Sequence, residues 1–383
     1  LSLALRIVVD FLIRLDYRLQ FFYVNQLDRL FPNVLVVIPN QYAIGTLAED
    51  MRHTAIASKY SSRYPILIKL TSLGSLLGFR CANSSLFRTK LNSIGYTNIG
   101  RGEKLKAFIF ASIAANGVFV MIRLCYLVLK KLSIILNNKM DSIDVMSFPY
   151  YSMDRMRILI MERLESANIK STVLKANYLK ESCTFWRFNN NDIERAEKFI
   201  NTYFPYFDMN RSFVCIHIRT AEYHQDTSRR SFRNANPINY KRLVEDLIKD
   251  GYQVVLLGSS NMEYPMSNSK EAMDLRGISR YPDAVDLLLI KLCSFYVGMQ
   301  SGPLDIALLY SKNILLLNAY NLTNLHTFYS KVLVVPKCYK FKGNYGLSSW
   351  IKHPLIGQSI NVENIDYELI ELGEGQISLA YKI

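Results

Sequence analysis

The chain has 383 residues, more than one hydrophobic core usually supports, so we expect two domains with a ligand cleft between them. Half of the residues (50%) are hydrophobic and 20% are charged, which excludes a disordered or collagen-like chain. The net charge of +14 favours an anionic partner, a class that includes phosphorylated small molecules, anionic lipid surfaces and nucleic acid.

The first 30 residues predict an amphipathic helix. Arg6, Asp10, Arg14 and Arg18 recur every four residues and form one polar stripe, while apolar residues occupy the other positions. A domain of residues 31–204 is expected to follow this helix.

A strand over 34–39 and a helix over 43–59 begin that first domain. Asn40 and Gln41 lie in the turn between them, and Gly45 follows in the helix, so we expect these three residues to contact an acceptor substrate. Strands at 65–70 and 143–148 and a helix at 153–166 continue the alternation, which indicates a parallel sheet.

The segment 107–129 is apolar, with Arg123 as its only charge, and its length would span a bilayer. Because a charge in mid-bilayer is costly, and Asn116 and Gly117 are also present, we expect a buried or membrane-dipping helix instead. A basic and apolar first half favours peripheral membrane contact and an acceptor carried on a lipid.

A helix over 191–204, closed by Pro205, is predicted to end the first domain. The second domain is expected over 205–345, and a tail of residues 346–383 is expected to pack back on the first domain. In the second domain, strands alternate with helices, which predicts a doubly wound α/β fold. The strands are expected at 213–218, 253–257, 272–275, 295–298, 314–317 and 333–335, and the helices at 236–250, 284–293 and 303–310.

Ligands of open parallel sheets bind at the carboxyl ends of the strands, and every strand of the second domain is followed there by polar or small residues. Ser301, Gly302 and Pro303 open a helix whose N–H groups would attract a diphosphate, although such a sequence is also an ordinary turn. The other candidates for this edge are His217, Arg219, Gly258, Arg276 and Asn318.

Arg219 directly follows a buried strand, so we expect it at the ligand edge, whereas His217 fits a hydrogen-bonded core histidine equally well. The long polar segment 220–236 follows Arg219. Within it, Arg233 and Asn234 come closest to the sheet. A transfer that inverts configuration would need a general base, for which Glu222 is our candidate; the other available carboxylates are Asp226, Glu49 and Asp50.

The run His217-Ile-Arg219, followed by Arg233-Asn234, Tyr240 and Ser301-Gly-Pro303, resembles a family of bacterial surface-polysaccharide glycosyltransferases. That family is similar to the α1,2-, α1,6- and protein O-fucosyltransferases. The fucosyltransferase motif continues to an acidic residue after a second Arg or Gly, whereas this chain reads Arg219-Thr-Ala-Glu222. The resemblance implies two Rossmann-like domains facing across a cleft, which is the GT-B fold, and a GDP-fucose-like donor whose diphosphate the HxR residues would contact. Tyr240 is expected to contact the donor as well.

We therefore expect a sugar transferase acting at the inner, cytoplasmic face of a membrane, with a nucleoside diphosphate sugar as donor and a glycan or lipid-linked acceptor. The five histidines and six cysteines form no metal-ligand pair, so neither a metal nor another cofactor is expected. Nucleic-acid binding is not expected, because the sequence has no long basic stripe with interleaved aromatic residues. The alternatives are a nucleotide-sugar 2-epimerase of the same architecture and a non-catalytic membrane-associated binding protein.

Overall fold

The computed structural model describes residues 2–37, 39, 44–68, 83–91, 99–113, 125, 128, 186–220, 233–258, 269–278, 280–320, 331–341, 344–345 and 367–383. Its Cα positions divide into two compact units, and each is described by itself. Among the described residues, the first unit contains 2–87 and 91–128, and the second contains 88–90 and 186–383.

The first unit pairs two parallel strands and covers them with helices. The predicted N-terminal helix is present, and the strands align residue by residue, with Val34 beside Tyr64. The core of this unit includes Leu27 of the first helix and Ile66 of the second strand. The elements are α1 (Ser2–Leu30), β1 (Val34–Val37), α2 (Ile44–Ser61), β2 (Tyr64–Leu67), α3 (Ser84–Phe87) and α4 (101–113).

The apolar segment predicted at 107–129 is described only in part. Residues 101–113 are helical, and Ala107 and Ala111 are buried against the first core, whereas Phe108 and Ile113 are exposed. Within the described ranges, no helix is both long enough and apolar enough to cross a bilayer. The rest of the segment, like the strand expected at 143–148 and the helix at 153–166, lies outside the described residues.

The second unit contains a six-stranded sheet in the order β10-β9-β8-β5-β6-β7, and every neighbouring pair is parallel. The prediction of an α/β fold built on parallel sheets is therefore confirmed. Two short strands, β3 (Lys90–Leu91) and β4 (Trp186–Arg187), precede this sheet in the chain. The strands of the sheet are β5 (Phe213–His217), β6 (Gln253–Leu257), β7 (Ala272–Asp274), β8 (Phe295–Gly298), β9 (Ile314–Ala319) and β10 (Val332–Pro336).

The helices of this unit follow the predicted pattern, with one local difference. Asn236 caps a 3-10 turn, Pro237–Tyr240, by accepting from the N–H of Ile238 at 3.1 Å, and the α-helix begins after that turn. Gly251, at φ +88°, ends this helical segment as expected. The helices are α5 (Asn190–Tyr203), α6 (Lys241–Lys249), α7 (Ala284–Leu292), α8 (Gly302–Leu309) and α9 (Glu374–Lys382).

The described part of the C-terminal tail, residues 367–383, differs from the expectation, because it belongs to the second unit and shares its core. Leu372, Ile377 and Ala380 belong to the same buried core as Val214 and Leu243. The tail carries apolar residues at helical spacing, and the sheet face that it covers is itself apolar, so burial of both surfaces holds α9 there. The short strands β11 (Cys338–Phe341), β12 (Asn344–Tyr345) and β13 (Tyr367–Ile370) form an antiparallel sheet in this unit.

Helix α5 also groups with the second unit, although we expected it to end the first domain. Its buried residues Ala196 and Ile200 form the apolar face that the sequence predicts. Arg88, which belongs to the same unit, holds the buried Asp192 of this helix through Nη2 at 2.7 Å and Nε at 3.0 Å. The cleft between two facing domains stays a prediction.

Candidate functional site

The strand order places a topological switch point between β5 and β8. From β5 the chain proceeds to one side through β6 and β7, and then returns to the other side through β8, β9 and β10. In such sheets, the two crossovers leave a crevice outside the carboxyl ends of the two central strands. His217 and Gly298 end those strands and are direct register partners, so the residues that follow them border the crevice.

The segments that follow β5 and β8 meet through a hydrogen bond between His217 Nδ1 and Ser301 Oγ, 3.0 Å apart. Ser301 Oγ also lies 3.2 Å from the carbonyl oxygen of Met299, to which it donates. Because a serine hydroxyl has a single hydrogen, both contacts are satisfied when the Nδ1–H of His217 donates to Ser301. The Nε2 atom of the neutral imidazole is then an acceptor.

Burial and the neighbouring Arg219 lower the pKa of His217 to about 4. The imidazole is therefore neutral at physiological pH, and its hydrogen bond to Ser301 does not depend on a charge. Arg219 is itself buried, with 6% of its surface exposed, and its carbonyl oxygen accepts from the N–H of Ala235 at 3.0 Å. The structure thus brings together the His-Ile-Arg and Ser-Gly-Pro segments that the sequence analysis singled out.

Ser301 precedes helix α8 in an extended conformation, and Gly302 and Pro303 form the first turn. The Ser301 side chain makes no capping hydrogen bond to the helix, because its hydroxyl interacts with His217 and Met299. The first N–H groups of a helix have no partner within the helix and attract anions. In α8, Pro303 has no N–H and the N–H of Leu304 donates to the carbonyl oxygen of Ser301 at 3.0 Å, so the N–H of Gly302 is the group beside the switch point from which an anionic ligand could accept.

Arg233 approaches the same edge from the loop before the 3-10 turn. Its Nη2 donates to the carbonyl oxygen of Gln300 at 3.1 Å, and its guanidinium lies 5.5 Å from the ring centroid of Tyr320. The Gln300 side chain in turn accepts from the N–H of Tyr320 at 2.9 Å. Gln300 comes shortly after the predicted strand and was expected at this edge, whereas Tyr320 was not predicted there.

Lys337 is a further cation that the sequence analysis missed. It is 4% exposed, directly follows β10, and donates from Nζ to the carbonyl oxygen of Asn234 at 2.6 Å. Burial lowers the pKa of Lys337 to about 8, and the nearby Glu371 opposes that shift. A basic residue at the end of an apolar strand was the available signal, since the same rule selected Arg219.

Arg276 and Gly258 meet at the ends of β6 and β7. A Cβ on Gly258, where φ is +142°, would lie 3.4 Å from Cγ of Arg276, so the glycine allows this close approach. The buried guanidinium of Arg276 forms a fork with Asp274, with Nε–Oδ1 at 2.8 Å and Nη2–Oδ2 at 2.6 Å. Asp274 thus holds Arg276 in a fixed orientation and occupies two of its donors.

Asn318 and Tyr240, both predicted to contact the donor, make hydrogen bonds inside the core. Asn318 Nδ2 donates to the Tyr240 hydroxyl at 2.9 Å, and Asn318 Oδ1 accepts from the N–H of Leu372 at 2.7 Å. Both residues are fully buried. Because β9 extends to Ala319, Asn318 lies within the strand and fastens the C-terminal segment to the sheet.

Of the predicted acceptor residues, Gly45 is buried in the first turn of α2. Asn40, Gln41 and the candidate base Glu222 lie outside the described residues. Within the described part of the chain, no group of three or more His, Cys, Asp or Glu side chains is arranged to hold a metal ion. That the reaction needs no metal stays a prediction.

The second unit is thus a doubly wound α/β domain in which cationic side chains and a helix N-terminus lie along one sheet edge. This combination is typical of domains that bind phosphorylated ligands. No protein-family model and no curated protein matches the chain.

Several solved structures show a distant similarity. Glycosyl transferase family 9 from Veillonella parvula aligns over 91% of this chain and 95% of its own, at 10% identity and a TM-score of 0.46. The E. coli ADP-heptose lipopolysaccharide heptosyltransferase II aligns over 79% and 90%, at 15% identity and a TM-score of 0.38. For TibC, a dodecameric heptosyltransferase from E. coli, the match covers 45% of this chain and only 44% of that one, at 13% identity and a TM-score of 0.26. Because these identities and scores are low, the function is inferred from the site itself.

Proposed function

We propose that this chain is a glycosyltransferase that moves a sugar from a nucleoside diphosphate sugar to a glycan or lipid-linked acceptor in surface-polysaccharide synthesis. The observation that carries the proposal is the hydrogen bond between His217 and Ser301. It joins the His-Ile-Arg segment to the N-terminus of α8 at the switch point of the sheet. A diphosphate bound there would lie beside Arg219 and the first N–H groups of that helix.

The proposed chemistry is the departure of a nucleoside diphosphate as the sugar is transferred. Negative charge develops on the leaving diphosphate, and Arg219 with the N–H groups of Ser301 and Gly302 would stabilise it without a metal. Preoriented donors aimed at developing charge are the most effective form of electrostatic catalysis. Glu222 is proposed as the general base that deprotonates an acceptor hydroxyl, and a GDP-fucose-like donor is the specific form of the proposal.

Nucleotide binding tests the proposal directly. Titrations of UDP, GDP, ADP and CMP, with their sugars, are followed by thermal unfolding of the wild type and of Arg219→Ala. The matching nucleotide at about 100 times its Kd is expected to stabilise the protein by about 2.7 kcal/mol. Arg219→Ala is expected to lose that stabilisation, whereas Arg195→Ala, which removes an exposed arginine from α5, should keep it.

The same reagents separate the alternatives. If no nucleotide raises the unfolding temperature, the proposed donor site is wrong. If a sugar nucleotide is converted to its epimer without an acceptor, the chain is an epimerase. If a nucleotide sugar binds but is neither transferred to any glycan or lipid-linked acceptor nor epimerised, the chain is a binding protein. Unchanged transfer in the presence of EDTA is the result expected for a metal-independent enzyme.

A further inference from the structure

Helix α1 exposes a stripe that contains both apolar and cationic residues. Ile7, Phe11 and Phe22 each have 61% of their surface exposed, and Arg14 and Arg18 are also exposed. At 100° per residue, these positions and the exposed Arg29 fall within an arc of about 80° on the helix surface. The aspartates at sequence positions 10, 16 and 28 fall outside that arc at the same periodicity. We call Ile7, Phe11, Arg14, Arg18, Phe22 and Arg29 the α1 stripe.

The opposite side of α1 is already occupied. Leu27 is buried in the core of the first unit, and Leu19 and Tyr23 pack against that core. The helix therefore needs no part of the α1 stripe to hold its place in the fold. Exposing two phenylalanines in a soluble domain has no folding benefit, and exposed apolar residues that cluster on one face mark interaction sites.

A second apolar face lies on α4, which touches α1. The Tyr23 hydroxyl donates to the carbonyl oxygen of Phe110, and the Phe31 and Phe110 rings are 6.2 Å apart. On α4, Leu105, Phe108 and Ile113 are exposed, with Ile113 at 68%. The first unit thus presents exposed apolar side chains on two helices in contact.

The charges inside the α1 stripe decide what covers it. If a second copy of the chain covered the stripe, the arginines of both copies would face each other with no acidic residue of the stripe to pair with them, and such like-charge contacts are unfavourable. At a membrane surface, the same arginines reach the anionic headgroups while the phenylalanines enter the acyl boundary. We infer that the α1 stripe docks the protein on a bilayer that contains anionic lipid.

Vesicle co-sedimentation tests this inference on the full chain. Vesicles of phosphatidylcholine mixed with phosphatidylglycerol should bind the wild type, and vesicles of phosphatidylcholine alone should bind it at least about tenfold more weakly. Arg14→Gln/Arg18→Gln should weaken binding to the mixed vesicles by about 30-fold, since each basic residue near an anionic surface contributes comparably. Phe11→Ser/Phe22→Ser should weaken it by about tenfold or more, because the apolar anchors are lost.

A matched control removes two charges elsewhere. Arg195 and Lys198 are exposed on α5 of the second unit, and Arg195→Gln/Lys198→Gln should bind vesicles like the wild type. Circular dichroism melts should be unchanged for the arginine variants, since their side chains are exposed. Equal loss in the control, or wild-type binding by Arg14→Gln/Arg18→Gln, would overturn the inference. So would a wild-type dimer that Phe11→Ser/Phe22→Ser makes monomeric, since a second copy would then cover the stripe.

This inference does not rest on the proposed transferase activity, because the vesicles carry no donor or acceptor. Nucleotide affinity, measured by thermal unfolding, should be the same in Arg14→Gln/Arg18→Gln and in the wild type. Failure at the membrane and failure at the donor site are therefore separate results.

Discussion

The protonation of His217 makes the stability of the folded protein depend on pH. Its pKa is about 4 in the folded protein, whereas an exposed imidazole titrates near 6.5. Between these values the unfolded chain binds more protons, so the contribution of His217 to stability is present above about pH 6.5 and is lost as the pH falls through about 4. The difference in unfolding free energy between wild type and His217→Gln should therefore shrink by about 2–3 kcal/mol from about pH 7 to about pH 4.5.

Urea denaturation at the two pH values measures this difference. Asp286 has to be considered because burial raises its pKa to about 6, so its own contribution changes in the opposite direction over the same range. That contribution is common to both proteins and cancels in the comparison. A difference that is constant with pH would contradict the buried, neutral state of His217.

Gly258 is a position where only glycine fits the backbone. With φ at +142° and Arg276 packed against it, Gly258→Ala should destabilise the protein by about 1–3 kcal/mol, as measured by urea denaturation. Gly277→Ala is the control, because a Cβ there meets no atom within 4 Å. If both variants unfold at the same urea concentration, the close approach of Arg276 does not constrain position 258.

At the scale of elements, Asn318 joins a strand to the C-terminal segment. Asn318→Ala would leave the buried Tyr240 hydroxyl and the Leu372 N–H without their partner. We expect a loss of about 2–4 kcal/mol of stability, since each buried unsatisfied group costs about 1–3 kcal/mol. Asn313→Ala, at an exposed position just before the same strand, should be close to neutral in the same thermal melt. Equal melting temperatures would show that Asn318 does not fasten the C-terminal segment to the sheet.

The helices and strands of the second unit were largely predictable because their signals are local. Apolar runs of strand length, an Asn-Pro cap before Tyr240 and the stop at Gly251 are read from neighbouring residues. The tail was not predictable in this way. Its packing on the second unit depends on Ile377 and Ala380 meeting apolar residues of segments distant in sequence, such as Val214 and Leu243. Periodicity does not specify the partner of an apolar face.

At the scale of the whole molecule, the net charge of +14 should make anion binding depend on salt. Raising the ionic strength from about 0.1 M to about 1 M shortens the Debye length from about 10 Å to about 3 Å. We expect the Kd of the preferred nucleoside diphosphate to rise severalfold over that range in isothermal titration calorimetry. The corresponding uncharged nucleoside should show little change, and a salt-independent Kd for the diphosphate would contradict a cationic site.

The sequence by itself determined the α/β class, the parallel sheet of the second unit and the edge of that sheet where charged residues gather. The reason is that burial pattern, turn residues and the residue after each strand are all local. Only the tertiary structure decided which of those residues act together. It paired His217 with Ser301 and Arg276 with Asp274, added Lys337 and Tyr320 to the edge, and placed Asn318 in the core. Those outcomes depend on hydrogen bonds between residues distant in sequence or on side-chain direction, and a strand pattern encodes neither.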